Sequence, residues 1–355
     1  MTIKRISINN LRILNNIFLV PDKINFIIGN NGQGKTSILE AISLISGRSF
    51  KRSPDKELVR FNSNNYLIQI NLEKNNISDI IKIGYDINIK KKIISINDKK
   101  VKVTDLVQYF PVVTFSHQDI SFMYESRARK VFFDKMLSYI DRVYYNNLIK
   151  MTKAIKNRNR LIRNRRDSTY WDTIISEIFP EIVKKRIKII DSFNNFLLEY
   201  KRFFPEGIEN IKFSYSIGID TVNKNNILKL LEERRRTDIE RGFSTGIVFD
   251  HYSILVNSKK IKYFASTGQA KFIIFLLFFL QAVFILEVSG IKPILLLDDL
   301  FSDVDSVNRN KMLNIISNNY FQTFITMTFE DFNGIKNYNT KANIIKVYRG
   351  NLIEN

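Results

Sequence analysis

Gly29-Asn30-Asn31-Gly32-Gln33-Gly34-Lys35-Thr36 follows the apolar run Ile24-Asn25-Phe26-Ile27-Ile28 and precedes a segment whose Ile38, Leu39, Ile42, Leu44 and Ile45 recur at helical spacing. The octet fits G-x-x-x-x-G-K-[ST], and a strand before it with a helix after it is the setting in which that pattern holds phosphate. Its glycines let the backbone curl until successive N–H groups face inward. The helix that begins near Lys35 adds the positive end of its dipole. Lys35 is expected to neutralise the β- and γ-phosphates of ATP, and the Thr36 hydroxyl to ligate a bridging Mg²⁺. Gly29, Asn30, Asn31, Gly32, Gln33, Gly34, Lys35, Thr36 and Ser37 are therefore the candidate nucleotide-binding residues.

A phosphate loop needs a partner that selects a reaction. The apolar run Ile294-Leu295-Leu296-Leu297 ends in Asp298-Asp299, which puts two carboxylates at the C-terminal edge of a parallel strand, where ligands of open α/β sheets collect. Asp298 is the expected Mg²⁺ ligand. Asp299 is placed to orient or deprotonate the water that attacks the γ-phosphate, and is the candidate catalytic base.

Outward from these two elements, Ile3 to Ile8 alternates as a strand does, and Leu67 to Ile96 reads as several short Ile-rich strands separated by Asn and Lys. Pro111 to Phe115 is another strand. From Ser126 to Glu240 the texture turns charged and helical, with amphipathic helices over Arg127 to Lys156 (Val131, Phe132, Met136, Leu137 and Ile140 inward) and over Ile182 to Tyr200 (Ile187, Ile190, Phe193 and Leu197 inward). Neither keeps heptads long enough for an extended coiled coil. Strand signals return from Gly242 and include Phe321 to Thr326. The expectation is one discontinuous α/β domain, residues 1–118 and 242–355, with a mainly helical insertion over 119–241.

The 355 residues carry 55 Lys and Arg against 35 acids, a formal charge of +20, which favours polyanionic partners; an AT-rich codon supply would raise Lys without selecting for binding. With no Cys, disulfides and thiolate zinc are excluded and a reducing cytoplasmic setting fits; His117 and His251 alone leave little for a His-based metal site or a Ser-His-Asp triad. The N-terminus lacks a signal-peptide apolar region. Phe272 to Leu286 is apolar except for Gln281, short of the about 20 residues a bilayer crossing needs, and reads as a buried helix with no membrane role.

Ala265-Ser266-Thr267-Gly268-Gln269 resembles the signature motif of ABC-type ATPases, and Ser302-Asp303-Val304-Asp305 resembles their D-loop. The resemblance implies that Ser266, Gly268 and Gln269 cap the γ-phosphate bound by a second copy, with Ser266 taking part in catalysis. The complete site then exists only in an ATP-bridged homodimer. Within that superfamily the chain resembles the RecF family nearly end to end. Gly29 to Ile42, Gly47-Arg48-Ser49-Phe50-Lys51, Glu57 to Phe61, Pro111 to Asp119, Arg129 to Asp141 and Leu295 to Asp305 follow that family's patterns. The implied fold class is α/β: an ABC-type P-loop ATPase head (lobe I) with an inserted mainly helical lobe II. By the same resemblance Arg12 supports the nucleotide and Gln118 reaches the metal. Two departures stand out. Gly246 to His251 lacks the family's His-Arg pair, and Ala270 stands where a second Gln follows the signature. No His occupies Thr326-Met327-Thr328, where many ABC proteins sense the γ-phosphate, and a Thr is the expected substitute.

Lys150, Lys153, Lys156, Arg158, Arg160, Arg163, Arg165 and Arg166 crowd one helix and its end. The arginines Arg158, Arg160, Arg163, Arg165 and Arg166 are the candidate DNA contacts, since bidentate guanidinium suits phosphate and AT-rich drift favours Lys; a solvated helical face is the alternative. Contacts of that type are indifferent to base sequence. The resemblance implies a slow, DNA-dependent ATPase acting in recombinational repair and replication-fork maintenance. It would bind gapped or single-strand–duplex DNA and help load recombinase with RecR- and RecO-type mediators. An ATP-binding clamp with little hydrolysis and the ATPase subunit of a membrane transporter are the alternatives.

Overall fold

The computed structural model describes residues 1–47, 50, 53–74, 76–218, 222–242, 250–261, 267–318, 321–335 and 342–353. The chain forms two compact units, Met1–Ile120 with Ala265–Asn355, and Ser121–Phe264.

The first unit opens with β1 (Thr2–Leu11), β2 (Leu14–Leu19), β3 (Ile24–Ile28), α1 (Lys35–Ser43), α2 (Asp55–Leu58), β4 (Asn65–Lys74), β5 (Ile77–Asp86), β6 (Lys91–Ile96), β7 (Lys99–Lys100), α3 (Val103–Tyr109) and β8 (Val112–Phe115). The second comprises α4 (Ser121–Tyr124), α5 (Ser126–Ile140), α6 (Arg142–Arg163), α7 (Thr169–Glu199), β9 (Ile211–Ser216), α8 (Lys224–Arg241), β10 (His251–Val256) and β11 (Lys259–Lys260). The chain re-enters the first unit with α9 (Thr267–Ser289), β12 (Ile294–Leu297), α10 (Ser306–Ser317), β13 (Thr323–Met327), α11 (Phe329–Ile335), β14 (Asn343–Tyr348) and β15 (Asn351–Ile353).

Two six-stranded sheets build the first unit. One runs β2-β1-β4-β5-β6-β7 and is antiparallel. The other runs β15-β14-β3-β13-β12-β8, and its four pairings from β14 to β8 use parallel strands, with β15 alone antiparallel. Parallel strands buried on both faces read as near-continuous apolar runs: β3, β12 and β13 are buried throughout, with Asn25, Thr323 and Thr326 as their polar members. Isoleucines and leucines of both sheets join Ile38, Leu39, Ile42 and Ile45 in one core. The region from Leu67 to Ile96 differs from the expected run of short strands. Its β4 and β5 have 10 residues each, because Gln69 and Lys82 occupy the less buried face of continuous strands instead of breaking them. Helix α9 is apolar on every side and long enough by composition to cross a membrane, yet Ile273, Ile274, Phe275, Leu276, Leu277 and Leu280 are all inaccessible, and Phe275 meets Phe115 of β8 edge to face.

The second unit is held by an aromatic cluster of Phe122, Phe132, Phe133, Phe193, Phe213 and Tyr252. The single helix expected over Arg127 to Lys156 is two, because Asp141 leaves helical geometry and its carboxylate accepts from the Tyr144 N–H, capping α6. The helix expected from Ile182 begins at Thr169 and runs through Pro180, for 31 residues. Ile187, expected inward, is exposed while Ile189 and Ile190 are buried, since the buried face also takes Arg186. The expected insertion ended at residue 241. The structure places β10 and β11 with it, through the pairing of β10 with β9 from His251↔Ser216 to Val256↔Ile211.

Candidate nucleotide site

The phosphate loop joins β3 to α1 at the C-terminal edge of the parallel sheet. Gly34 takes φ 109, and a Cβ there would lie 2.9 Å from both Ile13 and Leu14. A Cβ on Gly29 would meet the Val347 carbonyl oxygen at 2.5 Å. Glycine is thus a packing requirement at both positions, and at Gly34 a conformational one as well. Asn30, Asn31 and Gly32 form the exposed lip of the loop, while Ser37 turns inward and its N–H donates to the Gly34 carbonyl. The Gln33 side chain and carbonyl accept from the Arg349 and Gly350 N–H groups at 2.5 and 3.0 Å, so the β14–β15 turn braces the loop from outside.

Lys35 is buried, and its Nζ donates to the carbonyls of Gly29 and Asn30 at 2.6 and 2.9 Å. Burial lowers its pKa from the ordinary lysine value, against the raising influence of Asp299, Asp298 and Asp331. The Thr36 hydroxyl donates to Asp298, 2.8 Å from one oxygen and 3.1 Å from the other. Strand order explains the meeting: β13 lies between β3 and β12, so the loop after β3 and the acids after β12 share one sheet edge. A hydroxyl beside a carboxylate is a hard-oxygen donor pair that suits Mg²⁺. Among the described residues no cluster of three His, Asp or Glu competes as a metal site.

Thr326 of β13 sits at the centre of this edge. Its hydroxyl donates to Asp298 at 2.6 Å and accepts from the Asp299 N–H at 2.9 Å. Asp299 adopts φ 54, a left-handed conformation that turns it out of the strand direction of Asp298. The Thr predicted from the missing sensor His is therefore a brace for both acids. Sequence reasoning passed over Lys271, whose Nζ reaches the Asp299 carbonyl at 3.0 Å and Ser302 at 2.6 and 2.8 Å. Its signal was a lone cation in the first turns of an otherwise apolar helix.

The other expected site residues lie around this centre. Arg12, at φ 53, donates to Ser53 at 2.8 Å and stands 4.0 Å from the buried Glu40, one helical turn beyond Thr36. Gln118 is exposed on a 3₁₀ turn three residues past β8, the strand that flanks β12. Gly268 opens α9 against the D-loop, where a Cβ would lie 3.6 Å from the Asp303 carbonyl, and Gln269 is exposed beside it. Ser266, Arg48, Ser49, Lys51 and the stretch 246–249 lie outside the described residues.

In the second unit Arg160, Arg163, Arg165 and Arg166 are exposed. Arg158 is not part of that surface. It is 0% exposed, paired with Asp172 and, at 2.7 Å, with Asp238; a guanidinium committed to two buried carboxylates is not a DNA contact. Counting it with its neighbours followed sequence proximity, but α6 turns residue 158 inward with Met151, Ala154 and Ile162.

Comparison with known proteins places the chain in a family. Residues 2–349 match the RecF/RecN/SMC N terminal domain family. The chain is 33% identical to the DNA replication and repair protein RecF of Clostridium perfringens (strain 13 / Type A), covering 99% of both. With that of Halothermothrix orenii it shares 31% identity over 98% of this chain and 97% of the relative. The solved recombination mediator protein RecF-ATPrS in the RecFOR pathway superposes with a TM-score of 0.84 at 26% identity, covering 99% of this chain and 97% of that one. The SMC head bound to the C-winged helix domain of ScpA, at 13% identity and a TM-score of 0.52, shares the fold alone. An ABC-type ATPase head with no long coiled coil among the described residues, matched end to end by RecF relatives at 31–33% identity, places the chain in the RecF family of DNA replication and repair proteins.

Proposed function

We propose that the chain is an ATP-dependent, dimerising, DNA-bound ATPase that acts in the cytoplasm in recombinational repair and replication-fork maintenance. The observation that carries this reading is the junction of Thr36 with Asp298 beside Asp299, the arrangement that nucleoside triphosphate hydrolysis needs. Backbone N–H groups from Gly29 to Thr36 and the Lys35 ammonium would hold the β- and γ-phosphates. Thr36 and Asp298 would hold Mg²⁺, which when bound neutralises charge shared by those phosphates. The Asp299 carboxylate accepts the proton of the attacking water. Ser266, Gly268 and Gln269 of a second copy close over the γ-phosphate, so ATP favours the dimer by mass action.

The exposed Arg160, Arg163, Arg165 and Arg166 favour a backbone-directed DNA contact, and a preference for gapped or single-strand–duplex junctions follows from the family resemblance alone. RecR- and RecO-type mediators and recombinase loading follow from the relatives' pathway. A second reading, a clamp that binds ATP and barely hydrolyses it, is favoured by Ala270, whose buried methyl offers no polar group beside the signature. Light scattering with ATP and Mg²⁺, with and without gapped duplex, tests the first reading. A doubling of mass that Ser266→Arg blocks without loss of ATP binding supports it, and an unchanged wild-type mass overturns it. Phosphate release from wild type and Asp299→Asn separates it from the clamp.

A further inference from the structure

Lys271 is a buried cation that the nucleotide site described above leaves without a task. It stands in the first turns of α9, 1% exposed. Its three ammonium hydrogens match three acceptors: the Asp299 carbonyl at 3.0 Å, the Ser302 carbonyl at 2.6 Å and Ser302 Oγ at 2.8 Å. The segment it grips is unusual at both ends. Asp299 has φ 54 and Asp303 has φ 56, left-handed values that turn the chain sharply and that aspartate tolerates better than most residues. Between them Leu300 and Phe301 are anchored at 0% exposure, and Ser302 Oγ returns a hydrogen bond to the Asp299 carbonyl at 3.1 Å. Asp299 is thus held at its N–H by Thr326 and at its C=O by Lys271. Burial lowers the Lys271 pKa, while Asp299, Asp303 and Asp331 oppose that effect and favour the charge.

We infer that Lys271 is a positioning residue for ATP hydrolysis: from the signature helix it clamps the Asp299 and Ser302 carbonyls and so fixes the direction of the Asp299 carboxylate. The inference rests on the reading of Asp299 as the base. A purely structural lysine would lower the melting temperature and amount of folded protein without acting through Asp299. A positioning lysine loses its effect once Asp299 can no longer act.

The test is single-turnover hydrolysis of radiolabelled ATP with Mg²⁺ and gapped duplex, with ATP affinity and melting temperature measured on the same samples. The variants are Lys271→Met, Ser302→Ala, Asp299→Asn and the doubles of the first two with Asp299→Asn. Lys271→Met is expected to bind ATP within about threefold of wild type and to hydrolyse it at least ~10-fold more slowly, with less than about twofold further loss in the Asp299→Asn background. Ser302→Ala, which removes one of the three acceptors, is expected to slow hydrolysis about threefold with the same loss of effect, and decides the matter if Lys271→Met does not fold. Hydrolysis within about twofold of wild type by folded Lys271→Met, or an unchanged rate for Ser302→Ala where Lys271→Met does not fold, or a loss that multiplies undiminished with Asp299→Asn, overturns the inference alone. A wild-type protein that binds ATP and releases no phosphate overturns the assignment of Asp299 and the inference with it.

Discussion

The Thr36 hydroxyl and the Asp298 carboxylate, 262 positions apart in the chain, meet at 2.8 Å on the edge of one parallel sheet. That contact joins the phosphate loop to the strand whose end carries the acids. Asp298→Asn keeps the shape and removes the charge, so Mg²⁺-dependent hydrolysis is expected to fall at least ~100-fold while metal-free nucleotide binding changes little. Phosphate release and fluorescent-nucleotide titration with and without Mg²⁺ check both halves.

Lys35→Ala is expected to weaken ATP binding at least ~100-fold, since charge-assisted contacts to two phosphates contribute about 1.5–3 kcal/mol each. The melting temperature should hold, because burial already disfavours the Lys35 charge in the folded chain. Titration and a thermal melt of the same variant decide the point, and equal ATP affinity in variant and wild type would be fatal to the site.

Thr326→Val removes the donor to Asp298 and the acceptor for the Asp299 N–H together. An unsatisfied buried amide costs about 1–3 kcal/mol. Slower hydrolysis and a lower denaturation midpoint are expected, whereas Thr326→Ser should retain most of both. Chemical denaturation and phosphate release measure the two effects.

Arg158 and its neighbours separate structure from binding. Arg158→Met takes a buried guanidinium away from Asp238 and from Asp172, which keeps Arg235 and the Ser168 hydroxyl, and should destabilise by about 3 kcal/mol. Replacing Arg160, Arg163, Arg165 and Arg166 with Ala should leave stability unchanged and weaken DNA binding. If six or so phosphates are contacted, the wild-type slope of log affinity on log salt is roughly −5, and each lost contact reduces it by about 0.9. Urea midpoints and DNA titrations over a salt series give the comparison.

Acid should find Asp141. Burial pushes its carboxyl up, but Lys185 and the Tyr144 and Val143 amides outweigh that and hold it below its ordinary value of 3.8. A carboxyl depressed in the folded state contributes stability above its unfolded value, and that contribution is lost as pH falls through the folded one. Asp141→Ala should cost about 1 kcal/mol at neutral pH as a lost cap. The gap between the two proteins should close as pH drops below 3.8. Urea melts at stepped pH follow it.

The phosphate loop, the strands on either side of it, the acidic strand end and the buried α9 were legible because each is a local pattern: glycines where the backbone turns, apolar runs where both faces of a sheet are covered. Periodicity could not place the breaks inside the charged middle region, since Asp141 reads as one more polar residue until its carboxylate is seen on the Tyr144 N–H. Ordering Arg158 with its exposed neighbours failed for a similar reason. Position along a charged helix does not say which arginine the helix turns toward Asp172 and Asp238. The chain alone determined what kind of phosphate site it carries, because that chemistry is written in contiguous residues. Only the tertiary structure decided which distant groups complete it: Thr326 and Lys271 reach Asp299 because sheet order and a buried helix bring β13 and α9 to the end of β12. Neighbour relations across parallel strands are fixed by packing and by hydrogen bonds between segments, and no local spacing encodes them.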